Sequence, residues 1–151
     1  MAKLGDFFPE AERAHSVARS LKPGQIVYLY CAFITPPKDK YLLLLCRSAP
    51  PLLFMINSRI PAFVQARENL RQCQVRLDPA DYSFLDHESW LDCSRVINQF
   101  DDEEIVNQVM QDSGRVKGPL KRSTKDQVAR AVERARTIST ADKSLIVSSL
   151  R

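Results

Sequence analysis

Glycine is scarce in this chain, four residues in 151, and none of them are grouped. No glycine-rich loop is therefore present to cradle a nucleotide's phosphates with backbone amides. Histidine is scarcer still, with only His15 and His87, and the four cysteines, Cys31, Cys46, Cys73 and Cys93, lie far apart. A structural zinc site needs ligands paired at short spacing, so no metal and no cofactor is expected. The thiols read as small hydrophobes of the core rather than as a disulfide framework. Long apolar runs are missing too. The longest, residues 26–34, is far shorter than a bilayer span, and residues 1–6 carry no apolar signal core. The expectation is a cytoplasmic protein with no membrane partner.

What the chain does have is enough length to bury one core without staples, and an uneven charge beneath a net +4. Between Asp78 and Glu104 the acidic residues face a single basic one, Arg95, while the segments on either side are basic. A basic surplus attracts phosphates or an acidic partner segment by long-range steering. The competing reading of Arg130, Arg134 and Arg136 is a solvated helix face.

Apolar periodicity places the elements. Phe7, Ala11, Ala14, Ala18 and Leu21 recur at helical steps, with Pro9 in the first turn, and Pro23-Gly24 ends that helix. Residues 25–34 follow as a strand apolar on both alternating faces, so that both faces call for cover. Thr35-Pro36-Pro37-Lys38-Asp39 is a stiff loop that pairs residue 30 with residue 41 in a hairpin. Residues 40–47 and 52–56 are the next two strands. One or two helical turns are expected over 61–69, with further strands over 72–77 and 90–97. The last third reads as helices over 102–111, from Thr124 in a capping box with Gln127, and over 140–150 capped by Ser139 or Thr140. A loop spans 114–119. Val128, Ala131, Val132, Ala135 and Ile138 form the apolar stripe of the second of these helices, and Ala141, Leu145 and Ser148 or Ser149 the inner face of the third. Short strands at this spacing favour a compact barrel over a βαβ sheet.

Three motifs carry a family resemblance: Pro23-Gly24-Gln25-Ile26-Val27, then Ser89-Trp90-Leu91-Asp92-Cys93-Ser94, then Gly114-Arg115-Val116 ahead of a helix with Val128 and Val132. In this order they resemble the MazF/PemK-like toxins of type II toxin–antitoxin modules, over roughly residues 22–150. The resemblance implies an α+β fold, a small SH3-like antiparallel β-barrel over 22–98 with C-terminal helices over 102–150; the N-terminal helix over 1–21, read from periodicity and not a general feature of that family, completes one domain of residues 1–151. It further implies a toxin of a toxin–antitoxin or phage-defence module: a metal-independent endoribonuclease acting on single-stranded RNA, held by an antitoxin or other protein partner and commonly a homodimer. Family members carry an Arg-Pro pair before the second strand whose arginine is catalytic. Asp39-Lys40-Tyr41 stands at that place here, so that arginine is not carried over.

Cutting RNA without a metal requires a base, an acid and cations on the transition state. Arg47 and Arg59 are the expected catalytic clamps, because a planar guanidinium matches phosphate oxygens. Lys38, Lys40, Asn57 and Ser58 are the expected RNA-binding residues, placed where the ends of neighbouring strands converge. The competing reading for each is a rim residue. His87 stands between Asp86 and Glu88, a setting that suits a general acid, yet those carboxylates repel RNA phosphates and equally fit a surface histidine. Trp90, Tyr28, Tyr30 and Phe33 can stack on bases or belong to the core. The function expected is thus endoribonuclease, with a non-catalytic barrel that binds a protein partner as the alternative.

Overall fold

The turn at Gly24 anchors the fold to three parts of the chain at once. Its φ of 92° suits glycine, its N–H donates to the Leu44 carbonyl at 2.7 Å, and its own carbonyl accepts from the Leu120 N–H at 2.8 Å. A Cβ at this position would lie 2.9 Å from Cε of Lys125, so the lysine stem packs where a side chain would stand.

The computed structural model describes residues 10–151. Helix α1 covers Glu10–Ser20; the part of the expected first helix that includes Phe7 and Pro9 lies outside the described residues. Strands β1 (Gln25–Cys31), β2 (Lys38–Cys46) and β3 (Leu52–Asn57) form a meander, followed by two single-turn helices, α2 (Ala62–Gln65) and α3 (Glu68–Arg71). Then come β4 (Gln74–Leu77), β5 (Ser89–Ile97), α4 (Asp102–Gln111), a 3₁₀ turn, β6 (Val116–Pro119), α5 (Arg122–Arg134) and α6 (Thr140–Leu150). The sheet is six-stranded in the order β4-β5-β3-β2-β1-β6, antiparallel throughout. Among the described residues no helix is long and apolar enough to cross a membrane.

The architecture is α+β, with the sheet curled into a half-barrel. It does not close as the barrel reading expected, since β4 and β6 remain its two edges. The reason lies in the doubly apolar strands. A small closed barrel fills its interior from one face of each strand, whereas here both faces of β1, β2 and β3 are buried. Val27, Leu29, Leu42, Leu44 and Leu53 meet Ile105, Val106 and Val109 of α4. On the other side, Ile26, Leu43, Leu45 and Phe54 meet Val128, Ala131 and Val132 of α5 and Ile146 of α6. Register shifts in β1, β2 and β3 add local twist.

The helices correct the sequence reading in detail. Thr124 does not cap α5. It is buried within the first turns and accepts a hydrogen bond from the Tyr82 hydroxyl at 3.0 Å, which in turn accepts from the Lys121 N–H at 3.1 Å. Tyr82 thus satisfies the N–H of Lys121, the residue at the N-cap position of α5. Ser139 does cap α6, accepting from the Asp142 N–H at 3.1 Å, but the buried residues of that helix are Ile146 and Leu150, and Leu145 is 42% exposed. Residues 116–119, expected as loop, form the edge strand β6 against β1.

Candidate functional site

Strand register decides which side chains meet at the open end of the first hairpin. β1 and β2 pair Tyr28 with Tyr41, Leu29 with Lys40 and Tyr30 with Asp39, so the hairpin is offset from the expected pairing of residues 30 and 41. Paired residues point to the same side of a sheet. Tyr28 and Tyr41 therefore stack, with ring centroids 4.5 Å apart, while Lys40 lies on the opposite side. There Lys40 reaches the end of β3, its Nζ donating to Asn57 Oδ1 at 3.1 Å.

Two adjoining pockets open at this place. The larger, of about 1040 Å³, is lined by Lys38, Lys40, Asn57, Ser58 and Arg59 together with the start of α2. The smaller, of about 220 Å³, shares Lys38, Lys40, Asn57 and Ser58 and adds Tyr28, Tyr41, Phe84, Asp86 and His87. The structure thus brings together all but one of the residues that the sequence marked as catalytic or RNA-binding, from three separate segments of chain.

The exception is Arg47, at the far end of β2. Its Nε and Nη2 donate to the two carboxylate oxygens of Asp102 at 2.8 and 2.5 Å, and its Nη1 donates to the carbonyls of Ala18 and Leu21. This guanidinium is the tie that joins the end of α1, the end of β2 and the start of α4. It is committed to protein acceptors, not free to clamp a phosphate, and it explains why Asp102 makes an ion pair while Asp101 holds the cap position without a side-chain bond. Arg59 is exposed in the turn after β3.

The electrostatics of the pockets follow from burial. Lys40 is half-buried, and loss of hydration, reinforced by the charge of Lys38 and partly offset by Cys31, lowers its pKa below the ordinary lysine value. The Tyr41 phenol is shifted upward by burial first, with Tyr28 and Asp86 adding to it; its hydroxyl donates to the Phe84 carbonyl at 3.3 Å. Cys31, fully buried, is pushed up to about 11, mainly by burial. Of the carboxylates beside His87, Glu88 is engaged by Arg76 at 2.6 Å, which reduces the repulsion that the sequence suggested.

Sequence reasoning passed over several aromatic and cationic members of the site. The Phe84 ring lies 5.1 Å from that of Tyr41. The Arg115 guanidinium and the Lys117 ammonium each stand 5.9 Å from the Tyr28 ring centroid, within cation–π range. Arg115 also donates to the Tyr28 carbonyl at 2.7 Å and to Asp39 at 3.0 Å. Tyr28 was marked as an aromatic able to stack, but the expected hairpin set residue 30, not Tyr28, opposite Tyr41; Arg115, in the 3₁₀ turn, and Lys117, on β6, gave no signal because that stretch reads as loop. Of the other marked aromatics, Phe33 packs edge-on against Phe100, Tyr30 is 46% exposed and Trp90 is half-buried on β5. Among the described residues no group of three or more His, Cys, Asp or Glu is arranged to hold a metal ion.

The arrangement offers cations for phosphate oxygens, amide and hydroxyl groups for ribose or base edges, and an aromatic wall. The chain matches no protein-family model, and no curated protein matches it in sequence.

Proposed function

We propose that the chain is a diverged relative of the MazF/PemK-like toxins, its half-barrel a variant of their SH3-like barrel, and that the strand-end pockets bind single-stranded RNA and cut it without a metal. The observation that carries this reading is the convergence of Lys38, Lys40, Asn57, Ser58, Arg59 and His87 on two adjoining pockets. In the reaction the 2′-hydroxyl oxygen attacks the adjacent phosphorus and the bond to the 5′-oxygen breaks, leaving a 2′,3′-cyclic phosphate and a 5′-hydroxyl. One proton leaves the 2′-oxygen and one joins the 5′-oxygen. Lys40, which lines both pockets and whose pKa burial lowers, serves as the base, and His87 as the acid. Lys38 and Arg59 hold the phosphate oxygens as charge develops on them.

Purified protein incubated with a long single-stranded RNA and a chelator is expected to give discrete cuts ending in cyclic phosphate. Lys40→Gln and Arg59→Ala reduce the rate by about tenfold to a thousandfold each, the range of a lost acid–base or charge-stabilising group. RNA left intact at high protein concentration removes the cleavage reading.

A second reading is favoured by the engagement of Arg47 with Asp102, which withdraws one expected catalytic cation. On this reading the protein is a non-catalytic module that holds a protein partner, an antitoxin or another member of a defence assembly. It predicts a stable stoichiometric complex that is indifferent to the Lys40 and Arg59 substitutions.

A further inference from the structure

The smaller pocket has a shape and lining that a phosphate does not need. Its wall is a ladder of half-buried rings, Tyr28 against Tyr41 at 4.5 Å and Tyr41 against Phe84 at 5.1 Å, over a floor of buried Ile56 and Leu85. The hydrogen bond from the Tyr41 hydroxyl to the Phe84 carbonyl fixes one ring against the next. At the mouth stand Lys38 and Lys40, which belong to the larger pocket as well. A slot walled by aromatic rings that opens onto a cationic groove is the form in which an unstacked base is held beside its own backbone. The slot, of about 220 Å³, is below the size of pockets that take drug-sized ligands, which restricts it to one ring system.

Several polar groups line this slot, and among them Asp86 sets the preference. Asp86 lines it and, among the described residues, takes part in no ion pair. A carboxylate only accepts hydrogen bonds, through two oxygens side by side. Guanine presents two adjacent donors, its ring N–H and its amino group, whereas uracil presents one N–H between two carbonyls that an anion repels. We infer that the smaller pocket is a subsite for one unpaired guanine base of single-stranded RNA, stacked on the Tyr28–Tyr41–Phe84 wall and read by Asp86. This rests on the reading of the larger groove as an RNA site and adds its base preference.

The test uses fluorescein-labelled hexauridylates whose third residue carries guanine, uracil or no base, on a 2′-deoxy sugar at that position in each to block cleavage there. Fluorescence anisotropy with the full chain is expected to show the guanosine oligomer binding about tenfold or more tighter than the uridine or abasic ones, the scale of one stacked and hydrogen-bonded base. Asp86→Asn abolishes the preference for guanosine over uridine while keeping that over the abasic site. Tyr41→Leu weakens both, with circular dichroism confirming the fold; the wild-type comparison of the three oligomers needs no variant. Equal affinity for guanosine and abasic oligomers overturns the subsite and leaves the RNA-groove reading standing. Failure of all three oligomers to bind overturns both. Guanosine monophosphate displacing the guanosine hexamer at equal concentration assigns the slot to a free nucleotide and overturns the polymer subsite.

Discussion

Replacing Arg47 by alanine separates a catalytic clamp from a structural tie. The side chain is 24% exposed and its partner Asp102 45% exposed, so the bidentate pair is partly screened and contributes about 1 kcal/mol, the upper end for pairs in contact with water. The bonds to the carbonyls of Ala18 and Leu21 place a cation at the C-terminal end of α1, a further stabilisation of about 0.5–1 kcal/mol. Loss of the packed aliphatic stem adds about 0.5–1 kcal/mol. Together Arg47→Ala is expected to destabilise the fold by about 2–3 kcal/mol, which for a chain of this size lowers Tm by roughly 5–10 °C. Thermal melts followed by circular dichroism measure this, and urea titration gives the free energy directly. A double-mutant cycle with Asp102→Ala is expected to return a coupling of about 1 kcal/mol that shrinks in high salt. Arg59→Ala, at an exposed turn, is expected to leave Tm unchanged. A Tm within 1 °C of wild type for Arg47→Ala, together with loss of RNA cleavage by the folded variant, would refute the structural assignment and restore Arg47 to the chemistry.

Further outcomes follow from the same contacts. Tyr82→Phe strips the hydroxyl that bridges Thr124 and the Lys121 N–H, and about 1 kcal/mol of stability goes with it because buried Thr124 and a part-buried N–H lose a partner; equal urea midpoints for the two proteins contradict this. Gly24→Ala meets both the positive φ and the Lys125 stem and costs about 1–2 kcal/mol, whereas Gly118→Ala meets no atom within 4 Å and strains φ alone, so the larger loss belongs to position 24. The Cys31 thiol is raised from 9.0 to about 11 in the folded protein, so the native state keeps a proton that the unfolded chain gives up. The resulting stability is fully present below about pH 9 and lost as pH rises to about 11, a decline of about 2–3 kcal/mol. Urea unfolding of the wild type and Cys31→Ala across that window shows a steeper alkaline fall for the wild type; parallel curves dismiss the linkage.

Much of the candidate site was legible because β-strand ends announce themselves locally. The prolines at 36 and 37, the cationic pair Lys38 and Lys40, and Asn57-Ser58-Arg59 each mark where a strand begins or stops, and strands of a meander bring such ends together. Arg47 was misread for a related reason. Its residue type matches a phosphate and an aspartate equally well, and only the docking of α4 against α1 supplies the aspartate. His87 kept both of its sequence readings, since its pocket contains the cations that chemistry needs and its loop contains the carboxylates that oppose them.

Taken alone, the sequence determined the number and kind of most elements. Apolar spacing of two or of three and four residues acts within a few residues of chain, so β1 to β5, α4, α5 and α6 could be placed from it. It also determined that both faces of the first strand, residues 25–34, must be covered. Tertiary structure decided what covers them, and therefore that the sheet stops at a half-barrel with helices on either side. It recruited residues 116–119 as an edge strand, turned Ile146 inward in place of Leu145, and set the register that stacks Tyr28 on Tyr41. Those choices depend on partners distant in the chain, selected by packing and by the pairing of polar groups, and no local periodicity encodes a partner.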